Sequence, residues 1–389
     1  MTDNSMDLVI FGIVVGLRIV IPLFIPRFPL PAMILAMIID AADQTIFQNR
    51  TDLDLTNYQS YDKALDIYYL AIAYLSTLRN WRHRVAFNTS RFLWYYRLVG
   101  VVLFELTQTR AILLIFPNTF EYFFDFYEGV RTRWNPLQMT KRLVLGAAAF
   151  IWIFIKLPQE YWIHVAQLDT TDLIKEDLFG VPVDTPFSDI IRDNPLFFLS
   201  LACFLAAIII GLRYVYQTKL PPKDWNFTVD ADSQGADVTP EQINLQMTSM
   251  RGKILTFELA EKAVLLSLIM IIFTRIIPGT ASKPWEQAVT VTLFLIVSML
   301  VSEGVVRFLG RSQEAIFGSF VGTFLINAAI VAGLRALLPG DREFHWGAAL
   351  FFVFMLSVMI ALYDRYRPIY LARFGDERFE SRLAKRFGG

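Results

Sequence analysis

The chain has 389 residues and no formal net charge; 55% of its residues are hydrophobic and only 19% are charged. A soluble domain usually carries about a quarter charged residues. The apolar residues occur in blocks, each about as long as the roughly 17 to 25 residues that cross a bilayer as helix. The composition therefore predicts an all-α, polytopic transmembrane helix bundle in the lipid bilayer. The single cysteine, Cys203, excludes a disulfide framework, and the zero net charge gives no indication of a nucleic-acid partner.

The hydropathy pattern predicts about eleven spans. In chain order they are roughly 8–25, 30–47, 61–78, 92–107, 111–129, 142–163, 196–216, 254–277, 287–308, 316–338 and 345–363. Arg18 lies inside the first of them. The fourth and fifth are close together and Pro117 lies within the fifth, so 92–129 is either two crossings or one helix broken by a re-entrant piece.

A polar loop rich in Pro, Asp and Gly divides the chain into two groups of helices. The predicted organisation is an N-terminal helix group (1–216) that carries the intramembrane charge clusters, a polar cytoplasmic loop (217–253), a C-terminal helix group (254–363) and a basic cytoplasmic tail (364–389). The boundary follows composition alone, because no internal repeat marks it.

The lysines and arginines of the loops predict the orientation, since cytoplasmic loops carry an excess of them. The basic loops alternate with poorer ones along the chain and include RNWRHR at 79–84 and the tail, whereas loop 164–195 is acidic. With an odd number of spans this pattern puts the N-terminus outside and the C-terminus in the cytoplasm. The expected location is the plasma (inner) membrane.

Charged residues inside the spans are the candidates for function, because each costs about 2.5–3.5 kcal/mol on insertion scales and is usually kept facing the protein interior. Six of them, together with Arg110 just beyond the fourth span, form a predicted binding site, here called the outer cluster: Asp40, Asp43, Asp62, Asp66, Glu105, Arg110 and Lys63. The aspartates are three apart in the second span and four apart in the third, so each pair shares a helix face. Crowded carboxylates either keep protons or recruit a cation. The four aspartates are accordingly predicted ligands for a divalent cation.

A second predicted group, here called the inner network, consists of Arg97, Glu121, Asp125 and Glu128. The three acids recur at positions i, i+4 and i+7 in an aromatic stretch, on one face of a helix. Arg97 is expected at a matching depth, and its guanidinium can hold two carboxylate oxygens. A structural charge network that fixes helix register is predicted here.

The second half of the chain carries fewer charges inside its spans. The pairs Glu258–Lys262 and Glu303–Arg307 have helical i, i+4 spacing and are predicted to neutralise each other locally. Asn327 is predicted to bond across helices.

The aspartate spacings of the outer cluster resemble those of CDP-alcohol phosphotransferases. That family carries DxxDGxxAR at the end of the second helix and GxxxDxxxD at the start of the third. Here Asp40-Ala-Ala-Asp43 and Asp62-Lys-Ala-Leu-Asp66 reproduce both spacings, and the resemblance covers about residues 17–66. It implies that the four aspartates hold divalent metal and that one of them activates an acceptor alcohol.

The sequence departs from that family pattern at several positions. Gln44 and Tyr58 stand where the family has its two glycines, and Gln48 stands where the family has its phosphate-binding arginine. Arg110 or Lys63 is the alternative anion anchor. The basic loop 79–91 also places the aspartates towards the outer face, whereas the family takes its nucleotide-linked substrate from the cytoplasm.

Three functions remain open from the sequence. The first is ion- or proton-coupled transport of a small molecule or lipid, for which charged residues near the midplane are required. The second is a divalent-metal-dependent intramembrane enzyme that acts on a lipid substrate. The third is an accessory or assembly subunit that binds other membrane subunits and uses its charge networks to fix geometry.

Overall fold

A computed structural model shows a bundle of helices. It describes residues 3–51, 58–166, 168, 173–183, 185–224, 229–234, 237–250, 257–276, 293–294, 296–298, 320–337 and 346–375. The main helices are α1 (Asp3–Val20), α2 (Pro29–Arg50), α3 (Tyr58–Asn80), α4 (Arg84–Thr107), α5 (Ala111–Ile115), α6 (Thr119–Arg131), α7 (Lys141–Val165), α8 (Phe187–Asp193), α9 (Pro195–Thr218), α10 (Pro240–Met250), α11 (Phe257–Ile276), α12 (Phe320–Leu337) and α13 (Trp346–Phe374). No β-strand occurs within these ranges, in agreement with the predicted all-α class.

Four helices of the described residues are long and apolar enough to cross a membrane. Their spanning stretches are Met6–Phe24, Lys141–Val165, Pro195–Thr218 and Ala349–Phe374. Helices α2, α3 and α4 have 22, 23 and 24 residues, which gives them a length of about 33–36 Å, but they carry more charge. The predicted span 287–308 lies almost wholly outside the described residues.

The predicted fifth span is broken into two short helices. α4 ends where Gln108 adopts a left-handed conformation (φ 55°), and α5 then has only five residues. Phe116 precedes a proline, which disfavours helical backbone, and it leaves the helical region before α6 begins at Thr119. A Cβ atom at Gly100 would overlap the side chain of Phe116, so this glycine lets the break lie against α4.

The centre of the bundle is α3, whose residues 64–78 are buried except for Asp66. It packs against α13 and α11 from the second half of the chain and against α4 from the first. Aromatic rings of α6 pack against this centre: Tyr127 lies 3.9 Å from Trp81, which follows α3, and Phe120 lies 5.5 Å from Trp94 of α4, between ring centroids. One hydrophobic core therefore draws on both predicted helix groups.

Helix α9 has a different environment from the other long helices. It is the most apolar of the four candidate spans, and none of its residues is buried. A helix that is apolar on all sides and exposed along nearly its whole length suits a hydrocarbon environment.

One end of the bundle, here called the arginine-rich end, collects several of the basic loops. Arg79 donates a hydrogen bond to the Pro26 carbonyl (2.8 Å), and the amide of Ala231 donates to the Arg27 carbonyl (2.7 Å). Arg373, in the last turn of α13, donates to the Trp81 carbonyl (2.9 Å). The connections after α1, after α3 and after α9 thus meet the end of α13. All of these segments are ones that the sequence places on the cytoplasmic face.

Candidate functional site

Arg18 lies at the centre of the outer cluster. It is on the last turn of α1, inside an apolar helix, and its guanidinium reaches both α2 and α3. Nη1 donates to Asp43 and to Asp62, and Nη2 donates to Asp40 and, at 2.6 Å, to Asp66. One arginine from the first helix thus holds both aspartate pairs.

Burial divides these five side chains into a buried pair and a partly exposed group of three. The side chains of Arg18 and Asp43 are 3% and 2% exposed, whereas those of Asp40, Asp62 and Asp66 are 28%, 35% and 38% exposed. Oxygens of the three more exposed carboxylates lie within 4.8 Å of one another. Carboxylate oxygens at such separations are ligands that a hard cation prefers. These three aspartates are therefore the residues that would hold a metal ion.

The other predicted members of the outer cluster are arranged differently. Lys63 is half-exposed and pairs with the buried Glu105 at 3.4 Å. Their charges cancel, so this pair adds no net charge to the aspartates. Its ammonium also lies 5.2 Å from the centre of the Phe104 ring. Arg110 is exposed beyond the end of α4 and makes no ion pair with any residue that the structure describes.

Arg18 is the site residue that sequence reasoning did not assign. A signal was present, because an arginine inside an 18-residue apolar helix needs a buried anionic partner. Four aspartates with only Lys63 and Arg110 as assigned bases needed a further cation. The spacing of residues within one helix does not show which other helix it contacts. The sequence therefore does not indicate that Arg18 of the first helix meets the four aspartates of the second and third.

The inner network has partners other than those predicted. Glu121 accepts hydrogen bonds from the Tyr69 hydroxyl (2.6 Å), Asn118 Nδ2 (2.9 Å) and Lys156 Nζ (3.3 Å). Arg97 does not reach the three acids of α6. It donates to the Phe116 carbonyl (3.0 Å) and lies 3.8 Å from Glu160 of α7.

The other two acids of α6 differ sharply from each other. Glu128 is buried and accepts from Trp81 Nε1 (2.7 Å) and from Arg131 Nη1 (2.6 Å). Asp125 is half-buried, and its Oδ1 atom has no hydrogen-bond partner among the described residues. The three acids therefore do not form one network: Glu121 and Glu128 bind separate sets of partners.

Helix α7 brings two further charged residues into this region. It contains two π-helical stretches, Ile151–Lys156 and Tyr161–Val165, and such turns shift the face that a helix presents. Lys156 and Glu160 are both buried. Glu160 accepts from the Asn118 amide, at the start of α6, and from His164 at 3.0 Å. The carboxylate thus stabilises the positive end of that short helix.

Three aspartates of the segment between α9 and α10 form ion pairs with arginines of the arginine-rich end. Asp230 pairs with Arg27 at 2.9 Å, Asp232 pairs with Arg79, and Asp237 pairs with Arg373 at 2.6 Å. Partial burial acts to raise the pKa of the Asp237 carboxyl. The hydrogen bonds and positive charge of Arg373, together with the charge of Arg82, outweigh this and hold that pKa below its usual range.

In the second half, Asn327 bonds across helices as predicted. It accepts from Ser298 (2.9 Å) and donates to Ser357 (2.8 Å). Lys262 pairs with Asp364 of α13 at 2.8 Å, so it bridges two helices. The side chain of Glu258 and the pair Glu303–Arg307 lie outside the described residues.

Comparisons with protein-family models, with curated proteins and with solved structures find no match for this chain. The chemistry of the outer cluster follows from its charges. Its four carboxylates surround one guanidinium, so negative charge exceeds positive charge among these five side chains. Such a group can take up protons or a cation on its exposed side.

Proposed function

We propose that the protein is a multi-pass integral membrane protein of the plasma (inner) membrane, with about eleven spans, an outside N-terminus and a cytoplasmic C-terminus. Four helices with the length and apolarity of membrane spans support this proposal. The meeting of separate basic loops at the arginine-rich end supports the orientation, because cytoplasmic loops carry the excess of arginine and lysine.

We further propose that the protein couples transport of a small molecule or lipid to binding of a proton or another cation at the outer cluster. The observation that carries this proposal is the contact of four aspartates with the single guanidinium of Arg18. A group with excess carboxylates is the kind of site that ion coupling requires inside a membrane. An ordinary structural ion pair has no need of three additional acids.

Arg18 gives this site a way to transmit binding. A cation or proton that reaches Asp40, Asp62 or Asp66 from the exposed side weakens the attraction of these acids for the guanidinium. Arg18 belongs to α1, whereas the acids belong to α2 and α3. Occupancy of the site therefore changes how strongly α1 is held against its neighbours, which is the differential interaction that a conformational change needs.

The broken helix α5–α6 also supports a transporter. Transporters commonly place discontinuous helices near the midplane, where the helix ends face bound ions or substrate. Here the end of α5 accepts from Arg97, and the start of α6 donates to Glu160. Both ends of the break are thus held by charged side chains from other helices.

Charge movement in proteoliposomes tests the coupling without knowledge of the transported molecule. Steps in pH, Na⁺ or Mg²⁺ concentration on a solid-supported membrane are expected to produce a transient current with the unmodified protein. Asp62→Asn should abolish the current. Asp364→Asn is the matched control, because Asp62 and Asp364 are both 35% exposed and both pair with a basic residue. Equal currents from both variants would exclude the outer cluster as the coupling site.

A divalent-metal-dependent lipid enzyme is the second candidate, and one observation favours it. Asp40, Asp62 and Asp66 are close enough to hold one metal ion. A bound divalent cation would supply Lewis acidity to a phosphoryl group there.

Manganese binding and product formation separate the two candidates. Purified protein is titrated with Mn²⁺ and then incubated with a nucleotide-activated lipid and an alcohol acceptor. Metal binding with product supports the enzyme; charge movement without product supports the transporter. If both are absent and Asp62→Asn only lowers stability, the accessory-subunit proposal gains, with other membrane subunits as the partners.

A further inference from the structure

An elongated cavity runs along the outer face of α4. It has a volume of about 410 Å³, within the range typical of sites for small molecules. One end is lined by Asn88 and Arg91, and the remaining wall is built mainly from aromatic and aliphatic side chains: Phe92, Tyr95, Tyr96 and Val99 of α4, and Phe116 beside the helix break. This cavity, here called the α4 groove, takes no part in the outer cluster.

The polar end of the groove carries an excess of positive charge. Arg91 and Arg367 both face Glu261, but Arg367 holds that carboxylate at 2.9 Å while Arg91 remains 4.0 Å from it. The hydroxyl of Tyr363 occupies a further position on Glu261 at 3.2 Å. One carboxylate is therefore shared between two guanidinium groups.

Arg367 does not line the groove, but it shares Glu261 with Arg91 and retains hydrogen-bonding capacity. Arg367 is buried, yet its Nε and Nη1 atoms have no hydrogen-bond partner among the described residues. Buried donors of a charged group are normally satisfied. Arg91 has a second favourable contact, with the Phe87 ring 5.6 Å away, but a ring face does not neutralise its charge. The charge balance at Glu261 calls for one further anion.

The rest of the groove suits an apolar chain. Phe92 is 57% exposed, and Val99 is also exposed, although neither is a residue that water favours. From Asn88 to Val99 the helix advances about 17 Å. Tyr96 closes one side through its ring contacts with Phe116 and Trp152, at 4.4 and 5.0 Å between centroids.

We propose that the α4 groove binds an anionic phospholipid of the bilayer, with its phosphate group at Arg91 and Asn88 and an acyl chain along Phe92, Tyr96 and Val99. A cation at one end and an apolar wall from Phe92 to Val99, about 10 Å long, match a molecule that is anionic at one end and apolar along its length. The groove opens on the surface that faces lipid if α4 crosses the membrane. A soluble anion would leave the apolar part of the groove uncovered.

Native mass spectrometry of the purified full-length protein, with added phosphatidylglycerol or phosphatidylcholine, tests the proposal. The unmodified protein is expected to retain phosphatidylglycerol in preference to phosphatidylcholine. Arg91→Gln should reduce the apparent affinity for phosphatidylglycerol about fivefold, the effect of roughly one basic residue near an anionic headgroup. Arg91→Lys should restore most of it. Arg142→Gln is the matched control, because Arg142 is an exposed arginine that does not line the groove.

Val99→Trp tests the apolar part separately. The larger ring fills the groove without changing any charge, so it should reduce retention of phosphatidylglycerol while the melting temperature stays unchanged. The proposal is overturned if phosphatidylcholine binds as well as phosphatidylglycerol, if Arg91→Gln and Arg142→Gln have equal effects, or if Val99→Trp leaves lipid retention unchanged in a folded protein.

Discussion

Arg18 and Asp43 form the buried core of the outer cluster, where the first and second helices meet. Their side chains are almost fully enclosed, while the three remaining aspartates around the same guanidinium are about one-third exposed. Removal of one partner from a buried ion pair costs about 3–5 kcal/mol, whereas exposed pairs contribute about 0–1 kcal/mol. The cluster thus combines a structural pair with an accessible rim.

Arg18→Gln is expected to destabilise the protein strongly at neutral pH. It leaves four crowded carboxylates without their shared cation, at a cost of about 3–5 kcal/mol. Protonation of these acids at lower pH relieves their repulsion, so the loss in melting temperature should shrink as the pH falls. Thermal unfolding in detergent across a pH series measures this. A loss that does not vary with pH would contradict a cluster held together by charge.

The two classes of aspartate should separate in the same assay. Asp43→Asn is expected to lower the free energy of unfolding by about 3 kcal/mol or more, because it removes the buried partner of Arg18. Asp66→Asn should lower it by at most about 1 kcal/mol. Equal losses from the two variants would show that burial does not divide the cluster as described.

Lys156 and Glu121 are expected to depend on each other. Lys156→Met leaves the Glu121 carboxylate buried with only Tyr69 and Asn118 as donors, and should cost about 3–5 kcal/mol. Glu121→Gln keeps an oxygen for these two donors. The double variant should therefore be more stable than Lys156→Met alone, and a double-mutant cycle of unfolding free energies measures the coupling.

Asp237 should make the arginine-rich end sensitive to acid. Its pKa is lower in the folded protein than in the unfolded chain. Its contribution is therefore present above the unfolded pKa of about 3.9 and is lost as the pH falls through the folded pKa. The protection factors of residues 229–234 against hydrogen exchange, corrected for the intrinsic rate at each pH, should fall below about pH 4, with an effect of about 1 kcal/mol or less. Asp237→Asn should exchange faster already at neutral pH and show a weaker change on acidification.

Gly100 is predicted to be intolerant of any side chain. An added Cβ atom would overlap Phe116 at the helix break, and overpacking of this kind typically costs about 1–3 kcal/mol. Gly129→Ala is the matched control, because a Cβ atom there meets nothing within 4 Å. Alanine favours helix over glycine by about 1 kcal/mol, so the control should be neutral or stabilising in the unfolding assay.

The sequence predicted those parts of the structure that depend on one helix at a time. The apolar blocks located most of the long helices, and the aspartate spacings placed Asp40 with Asp43 and Asp62 with Asp66 on common faces. Contacts between helices that lie far apart in the sequence could not be predicted in this way. Arg18 joins the cluster through the packing of α1, and Arg97 pairs with Glu160 only because the break at Pro117 and the π-helical turns of α7 bring them together. Neither contact produces a periodic pattern of residues in the sequence.

Arg373 has a consequence for the order in which the protein is made. Its guanidinium donates to the carbonyls of Leu78, Arg79 and Trp81, which lie 295, 294 and 292 residues earlier in the chain. Carbonyls at the end of a helix have no partner within it. Those of α3 must therefore wait for α13 to be synthesised, so the central helix of the bundle acquires this cap only after a helix almost 300 residues further along the chain has been made.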